Sequence, residues 1–405
     1  MATSTPRFSK LPRALPLTLL LASLGSSTAM AGPSDALHVV GSVGYFHDDN
    51  LFRLPGDAPG YDKQRSDSAI QSVLGVFFDK TYGRQKVFLQ AKRSKVTFNH
   101  FSQLDYNGKD YLGRLNWELG NHLEGSLGAS HAQTLAPYTD FRSRERNLRV
   151  QKREFFDGAW RLHPSWRVRA GATRDRYTYE LPIQRINDRT ETATELGFDY
   201  LPSSGSSAGL VARRIKGNYL NLRVFNGTVL DESFVQDELK AKIDWRITPI
   251  STIQVLAGHA RRTHEGLGQR DASGFNGRVT VSSAPRAKLH LNAALYREFT
   301  PVESNIVTYA LSRGASAGAT WDATAKIRVD GAISSERRTY ETSVAPVGAD
   351  LSDKLRRASL SATWSVRPAI QVVAGLARER RDGSVFFGNG SYKSNTVSLN
   401  ASAQF

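Results

Sequence analysis

Thr396-Val397-Ser398-Leu399-Asn400-Ala401-Ser402-Ala403-Gln404-Phe405 closes the chain, and its alternation decides the fold. Val397, Leu399, Ala401, Ala403 and Phe405 fall on one side of an extended backbone. Thr396, Ser398, Asn400, Ser402 and Gln404 fall on the other. Successive side chains of a strand point to opposite faces, so this pattern reads as a strand with one apolar face. Arg356-Ala358-Leu360-Ala362-Trp364-Val366 alternates in the same way with Arg357-Ser359-Ser361-Thr363-Ser365. So does Tyr111-Gly113-Leu115-Trp117-Leu119 with Leu112-Arg114-Asn116-Glu118.

These strands recur with a period. An aromatic strand end followed by a turn appears at Trp117, Trp160, Trp245, Trp321 and Trp364, and more weakly at Tyr200. Adding Phe78, Ser283 and Phe405 gives intervals of 38 to 45 residues and nine units. Each unit holds two strands, the second exemplified by Ile370-Val372-Ala374-Leu376 and Trp166-Val168-Ala170-Ala172. Links after the aromatic ends are short, as in His163-Pro164-Ser165. Those at the other end are long and polar, near 47–66, 133–147, 177–189, 335–353 and 378–393. A repeat near forty also suits a β-propeller, but a blade needs four strands and these units hold two. Alternating link lengths are the asymmetry of a bacterial barrel, with short periplasmic turns and longer outer loops. The expectation is an all-β, transmembrane, antiparallel up-and-down β-barrel of about eighteen strands, with both termini in the periplasm.

Composition agrees. The chain is 40% hydrophobic with a mean hydropathy of −0.40, and no apolar run is long enough for a spanning helix. A barrel needs only every second strand residue to face lipid. There is no cysteine, hence no disulfide and no lipoprotein anchor. Arg7, Lys10 and Arg13 precede the apolar run from Ala14 to Leu24, and Ala29-Met30-Ala31 follows. That order is expected of a secretory signal peptide over 1–31, leaving a barrel domain over 32–405. The formal charge of +16 becomes +13 without those three bases. Export excludes nucleic acid as the partner of this charge and leaves anionic lipid, lipopolysaccharide or an acidic polymer.

Phe405 at the end of the alternating last strand resembles the C-terminal assembly signal of outer-membrane barrels. The segment Asp48-Asp49-Asn50-Leu51-Phe52-Arg53-Leu54-Pro55, followed by Ser66-Asp67 and the repeated Trp turns, resembles the EpsL family of porin-like barrels. Members of that family occur in exosortase-linked exopolysaccharide clusters. The resemblance spans roughly 36–405 and implies a part in exopolysaccharide export or assembly, with periplasmic export proteins as partners and no catalytic residues. A general diffusion porin for small solutes is the alternative, and a non-conducting scaffold or adhesin a third.

The residues offer little catalytic chemistry. Gly205-Ser206-Ser207-Ala208-Gly209 matches the serine-hydrolase elbow in letters, but lacks the following helix that the elbow requires. Nine histidines are scattered without metal-ligand spacing, and His259 and His264 fall near an outer loop. Asp48-Asp49-Asn50 supplies too few oxygens for calcium and reads as a solvated loop entry. No enzyme activity, cofactor or metal is expected. The bases are more informative. Arginine doublets recur near the outer strand ends, at Arg144/Arg146, Arg174/Arg176, Arg213/Arg214, Arg261/Arg262, Arg337/Arg338, Arg356/Arg357 and Arg380/Arg381. They suggest either a solvated rim or a positive mouth for an anionic glycan. Strand parity places Arg114, Arg149, Arg153, Arg167, Arg169, Lys240, Lys242, Arg278, Arg328 and Arg357 at the lumen or mouth, among acids such as Asp175, Asp199 and Glu238. It places Trp117, Trp160, Trp245, Trp321 and Trp364 in an outward periplasmic girdle. Eight residues before four of these tryptophans stand Lys109, Lys152, Arg313 and Arg356, which are expected at the outer membrane interface.

Overall fold

The computed structural model describes residues 36–56, 58–225, 228–265, 268–304, 307, 309–340, 352–384 and 390–405. The expected signal peptide lies outside the described residues. Eighteen strands form one antiparallel wall: β1 (Leu37–Asp48), β2 (Asp67–Tyr82), β3 (Gln85–Phe98), β4 (Tyr106–Leu119), β5 (Leu123–Leu135), β6 (Leu148–His163), β7 (Trp166–Tyr179), β8 (Arg189–Tyr200) and β9 (Ser207–Tyr219) lead. A two-stranded hairpin, β10 (Arg223–Phe225) and β11 (Thr228–Leu230), interrupts them. The wall resumes with β12 (Phe234–Thr248), β13 (Ser251–His264), β14 (Ala272–Arg286), β15 (Leu289–Pro301), β16 (Tyr309–Asp322), β17 (Ile327–Tyr340), β18 (Ser352–Arg367), β19 (Ile370–Gly383) and β20 (Tyr392–Gln404).

Each wall strand pairs with its sequence neighbour, and β1 pairs with β20 from Val40↔Gln404 to Asp48↔Thr396. The barrel is therefore closed, which leaves no unpaired edge in a medium that cannot hydrogen-bond one. Phe405 extends the seam: its N–H donates to the Val39 carbonyl and its carbonyl accepts from the Val39 N–H, both at 2.9 Å. Both described ends lie at the short-turn end.

The alternation read from sequence is the inside–outside pattern of the wall. Leu74, Leu196, Leu295, Ile333, Leu360 and Leu399 are all more than half exposed, as residues meant for hydrocarbon must be in an isolated barrel. Positions between them face the interior and carry most of the charge. Two strand ends differ from expectation. β2 runs past Phe78 to Tyr82 because Asp79 and Lys80 stay in ladder with Phe88 and Val87, and the turn falls at Gly83, whose φ of +60° a side chain would disfavour. β14 runs past Ser283 to Arg286, with a register shift around Pro285, which has no N–H to give the ladder. The links at the far end are loops L1 (49–66), L2 (99–105), L3 (136–147), L4 (180–188), L5 (220–233), L6 (265–271), L7 (302–308), L8 (341–351) and L9 (384–391). L8 lies outside the described residues.

Candidate functional site: a lumen crossed by its long loops

The first part of loop L1, residues 49–54, folds into the mouth, while Asp62 and Lys63 farther along stay exposed. After β1 the chain doubles back through a turn built on Asn50, whose side-chain amide donates to the Leu54 carbonyl and accepts from the Leu54 N–H, each at 2.8 Å. This turn puts Arg53 at φ +58°, a left-handed conformation that costs a residue other than glycine about 1–2 kcal/mol. Ion pairs offset the strain: Arg53 Nη1 lies 2.9 Å from Asp48 and Nε 3.4 Å from Glu379. Burial works against the Arg53 charge, yet Asp48 and Glu379 outweigh it and hold the guanidinium above its ordinary pKa. Phe52 is 0% exposed and meets Tyr61, Phe101 and Tyr138 edge-on or tilted, at centroid distances of 4.8 to 5.0 Å. Leu51, Leu54, Phe98 and Leu104 complete an apolar cluster within the mouth. The 48–55 segment is thus a buried anchor rather than a solvated loop entry. Its apolar Leu51-Phe52-x-Leu54 core wins over the flanking acids, because Asp48 finds Arg53, Ser394 and Thr396 as partners.

Loop L3 crosses the bore. It leaves between β5 and β6, and Asp140 reaches Arg338 on β17 at 2.9 Å, while Thr139 O accepts from Arg381 on β19 at 2.6 Å. Seven wall strands separate β5 from β17 one way round and eight separate β6 from it the other way, so these contacts span the ring. Asp353 completes the clasp by accepting from Arg338 at 2.8 Å and Tyr340 at 2.5 Å and by an ion pair with Arg381 at 2.6 Å. Loop L7 enters from another side, where Glu303 takes Arg149 of β6 at 2.7 Å and the Ser304 carbonyl accepts from Arg223 of L5 at 3.3 Å. L1, L3 and L7 together narrow the long-loop half of an interior that eighteen strands would otherwise leave wide.

Nine of the ten expected lumen or mouth bases are ion-paired. Arg149 holds Glu303; Arg153 lies 3.6 Å from Asp175; Arg167 and Arg169 share Asp199 at 2.8 and 2.6 Å. Lys240 takes Glu238 at 2.8 Å, Lys242 takes Asp244 at 3.6 Å, and Arg278 takes Glu298 at 2.7 Å. Arg328 takes Asp322 at 2.8 Å and Arg357 takes Glu379 at 2.7 Å. Arg114 is the exception, lying 5.9 Å over the Phe155 ring, and Lys92 nearby stands 5.4 Å over Phe77. Among the described residues neither has a carboxylate partner. The wall is a largely salt-bridged lining in which Arg114 and Lys92, on β4 and β3, make no ion pair, although Lys92 faces Asp110 across the ladder; Arg262 on β13 is held by Gln236 instead of an acid.

The arginine doublets do not form one solvated rim. Neighbours on a strand face opposite ways, so Arg262, Arg338 and Arg381 turn inward and are 1 to 6% exposed, while Arg261, Arg337 and Arg380 turn outward. Lys109, Lys152, Arg313 and Arg356 are all exposed on the outward face. Trp160, Trp245, Trp321 and Trp364 are each about half exposed there, and Trp117 is half-buried against Phe156. Sequence reasoning left two aromatics out of this girdle. Trp166 stacks on Phe198 at 5.0 Å and meets Tyr200 at 4.9 Å, a belonging signalled by its parity with Val168 and Ala170. Phe405 is 78% exposed beside the closing seam.

Gly205–Gly209 lies in the turn between β8 and β9 and the start of β9, with no helix after it. His259 faces outward and exposed, whereas His264 is buried and stacks on Tyr309 at 5.4 Å. Among the described residues no group of three His, Cys, Asp or Glu could hold a metal.

No family model and no curated relative matches the chain. Solved structures do resemble it. Pseudomonas aeruginosa OccK2 (OpdF) superposes with a TM-score of 0.50 at 10% identity, over 92% of this chain and 98% of that one. P. aeruginosa OccK9 (OpdG) gives 0.49 at 14% identity over 91% and 98%. The outer membrane protein OpdK of P. aeruginosa gives 0.49 at 13% over 92% and 98%. At such identities the likeness is one of fold: this chain is a closed, porin-like, eighteen-stranded barrel.

Proposed function

We propose that this chain is an outer-membrane channel for small solutes, with both termini in the periplasm and the long loops facing outward. The outward apolar face and aromatic girdle support a membrane-spanning barrel. The observation that carries the channel reading is the pair of loop contacts across the bore, Asp140 to Arg338 and Glu303 to Arg149. Loops pinned by buried ion pairs make a fixed constriction suited to selecting small molecules, and they stand in the way of a threading polymer. Exopolysaccharide export, with an anionic glycan and periplasmic export proteins as partners, is therefore the weaker reading. It rests on the resemblance of the 48–55 segment to the EpsL family, and in this barrel that segment is occupied in anchoring L1. No step of the proposed function needs catalysis.

Arg114 and Lys92 set the expected selectivity. Cations without a carboxylate partner on a water-filled wall raise the local concentration of anions. Planar-bilayer recordings of the purified barrel test this. The expected result is ohmic conductance with a reversal potential favouring anions, reduced in Lys92→Gln and Arg114→Gln. Absence of conductance would favour a scaffold, and cation selectivity would remove the role given to these two residues.

A further inference from the structure

Arg297 stands directly opposite Arg313, Arg313 opposite Arg337, and Arg337 opposite Lys354, in one ladder row across β15–β18. One outward position nearer the girdle, Arg356 opposes Arg380. All share the lipid-facing parity of Trp321 and Trp364. Side chains directly opposed on a sheet face lie about 4.5–5.5 Å apart at Cβ, and like charges there destabilise the pair. The inward arginines of the same strands each meet an acid, but Asp382 is the one acid on the lipid face of β15–β20 among the described residues. It serves Arg380 at 2.9 Å and Arg356 at 3.8 Å. Asp382 stands opposite Lys354 as the next member of the row, yet it makes its ion pairs with Arg380 and Arg356; Arg297, Arg313 and Arg337 oppose no acid, Arg297 donating to the Phe275 carbonyl and Arg337 to Ser352 Oγ at 3.1 Å.

The surroundings say what kind of anion would fit. Below the row the face is apolar through Leu295, Ile333 and Leu360 down to the tryptophans. Eight residues at about 3.3 Å each, on a strand tilted about 40°, lift Arg313 roughly 20 Å above Trp321. The row therefore sits near the outer edge of an apolar band about 25 Å tall. An occupant must be anionic at that level and acylated beneath it. The row itself spans roughly 14 Å, three inter-strand spacings of about 4.8 Å, which is room for two phosphates, and the planar arginine fork matches phosphate oxygens.

We propose that the row seats the phosphates of a bis-phosphorylated glycolipid of the outer leaflet, whose charge relieves the repulsion built into the ladder. The proposal rests on the outward placement of the long loops but not on conduction. The experiment follows thermal unfolding of the full barrel in uncharged detergent with bis-phosphorylated lipid A, the same lipid dephosphorylated, or inorganic phosphate. The expected result is an unfolding temperature raised by bis-phosphorylated lipid A and unmoved by the other two. The Arg313→Gln/Arg337→Gln variant should unfold no earlier than the parent without lipid and lose most of the shift. Equal protection by dephosphorylated lipid or by inorganic phosphate would overturn the proposal. So would a variant that keeps the full shift, or that fails to fold when repulsion is removed; Lys354→Gln, a milder change, should lose part of the shift and overturns the idea if it loses none. Proteolysis of L1 on intact cells reports orientation separately, so an inverted barrel is not mistaken for a missing lipid site.

Discussion

Replacing Asp140 by alanine removes the L3 end of the clasp across the bore. Asp140 Oδ1 lies 2.9 Å from Arg338 and 3.8 Å from Arg381, and its side chain retains 17% exposure. Breaking a fully buried ion pair costs about 3–5 kcal/mol because a charge is stranded. Here Asp353 still pairs with both guanidiniums, at 2.8 and 2.6 Å. The contact is an ion pair without hydrogen-bond geometry, so the loss falls between the roughly 1 kcal/mol of an exposed pair and the roughly 3 kcal/mol of a buried one. At about 1.4 kcal/mol per factor of ten, the time L3 spends away from β17 should rise roughly five- to a hundredfold. The Arg381 bond to the Thr139 carbonyl, at 2.6 Å, survives and pulls the effect toward the lower figure. Single-channel recordings of Asp140→Ala should show a larger-conductance state visited far more often than in the parent. The folded yield, read from the mobility of unheated samples, should not change. Asp140→Asn, which keeps an acceptor, should fall between. An amplitude histogram for Asp140→Ala that superposes on the parent's would refute the idea that L3 constricts the bore.

Three further outcomes are expected. Phe52→Ala empties a fully buried aromatic site, a change worth about 3–5 kcal/mol, and should open L1 to trypsin at Arg53 and Arg65 while the wall stays resistant; an unchanged cleavage rate at those two bonds would contradict the anchor role. Deleting Phe405 removes both seam bonds to Val39 and the most exposed aromatic, and should lower the amount of folded barrel far more than deleting a loop residue such as Gly56. Hydrogen bonding from Arg146, outweighing the opposing effect of burial and aided by the Leu148 N–H, holds the Glu180 carboxyl below the usual glutamate range. A depressed carboxyl stabilises the L3–L4 contact above its unfolded pKa and loses that contribution as pH falls through the folded value. The protection factor of the Leu148 amide, its exchange rate corrected for the intrinsic pH dependence, should fall on acidification in the parent and show no such step in Glu180→Gln.

The wall was legible because its physics is local. Period-two alternation in β20, β18 and β4 needs no distant partner to be read, and a proline four residues after Trp160, Trp245 and Trp364 marks the turn that ends the ladder. The lumen parity of residues such as Arg167 and Asp199 followed from the same rule. The interior was not legible, because its contacts join residues far apart in sequence. Asp140 meets Arg338, Glu303 meets Arg149, and Asn50 donates to Lys393 O at 2.8 Å. No spacing announces such pairs. Leu51-Phe52-x-Leu54 inside an otherwise polar loop was the one sequence signal that L1 turns inward, and the neighbouring acids hid it. The arginine doublets misled for a related reason. Read as points on a rim they look like one feature, whereas a strand sends adjacent members such as Arg337 and Arg338 to opposite faces, one toward lipid and one inward, and keeps Arg174 and Arg176 together on the outward face.

Liposome swelling tests the central claim, a small-solute channel constricted by its own loops, most directly. Vesicles carrying the purified barrel should swell in isotonic monosaccharide, swell faster with a small monovalent anion than with a cation of the same size, and fail to swell in long dextrans. Swelling that does not depend on solute size, or none with any solute, would contradict the account.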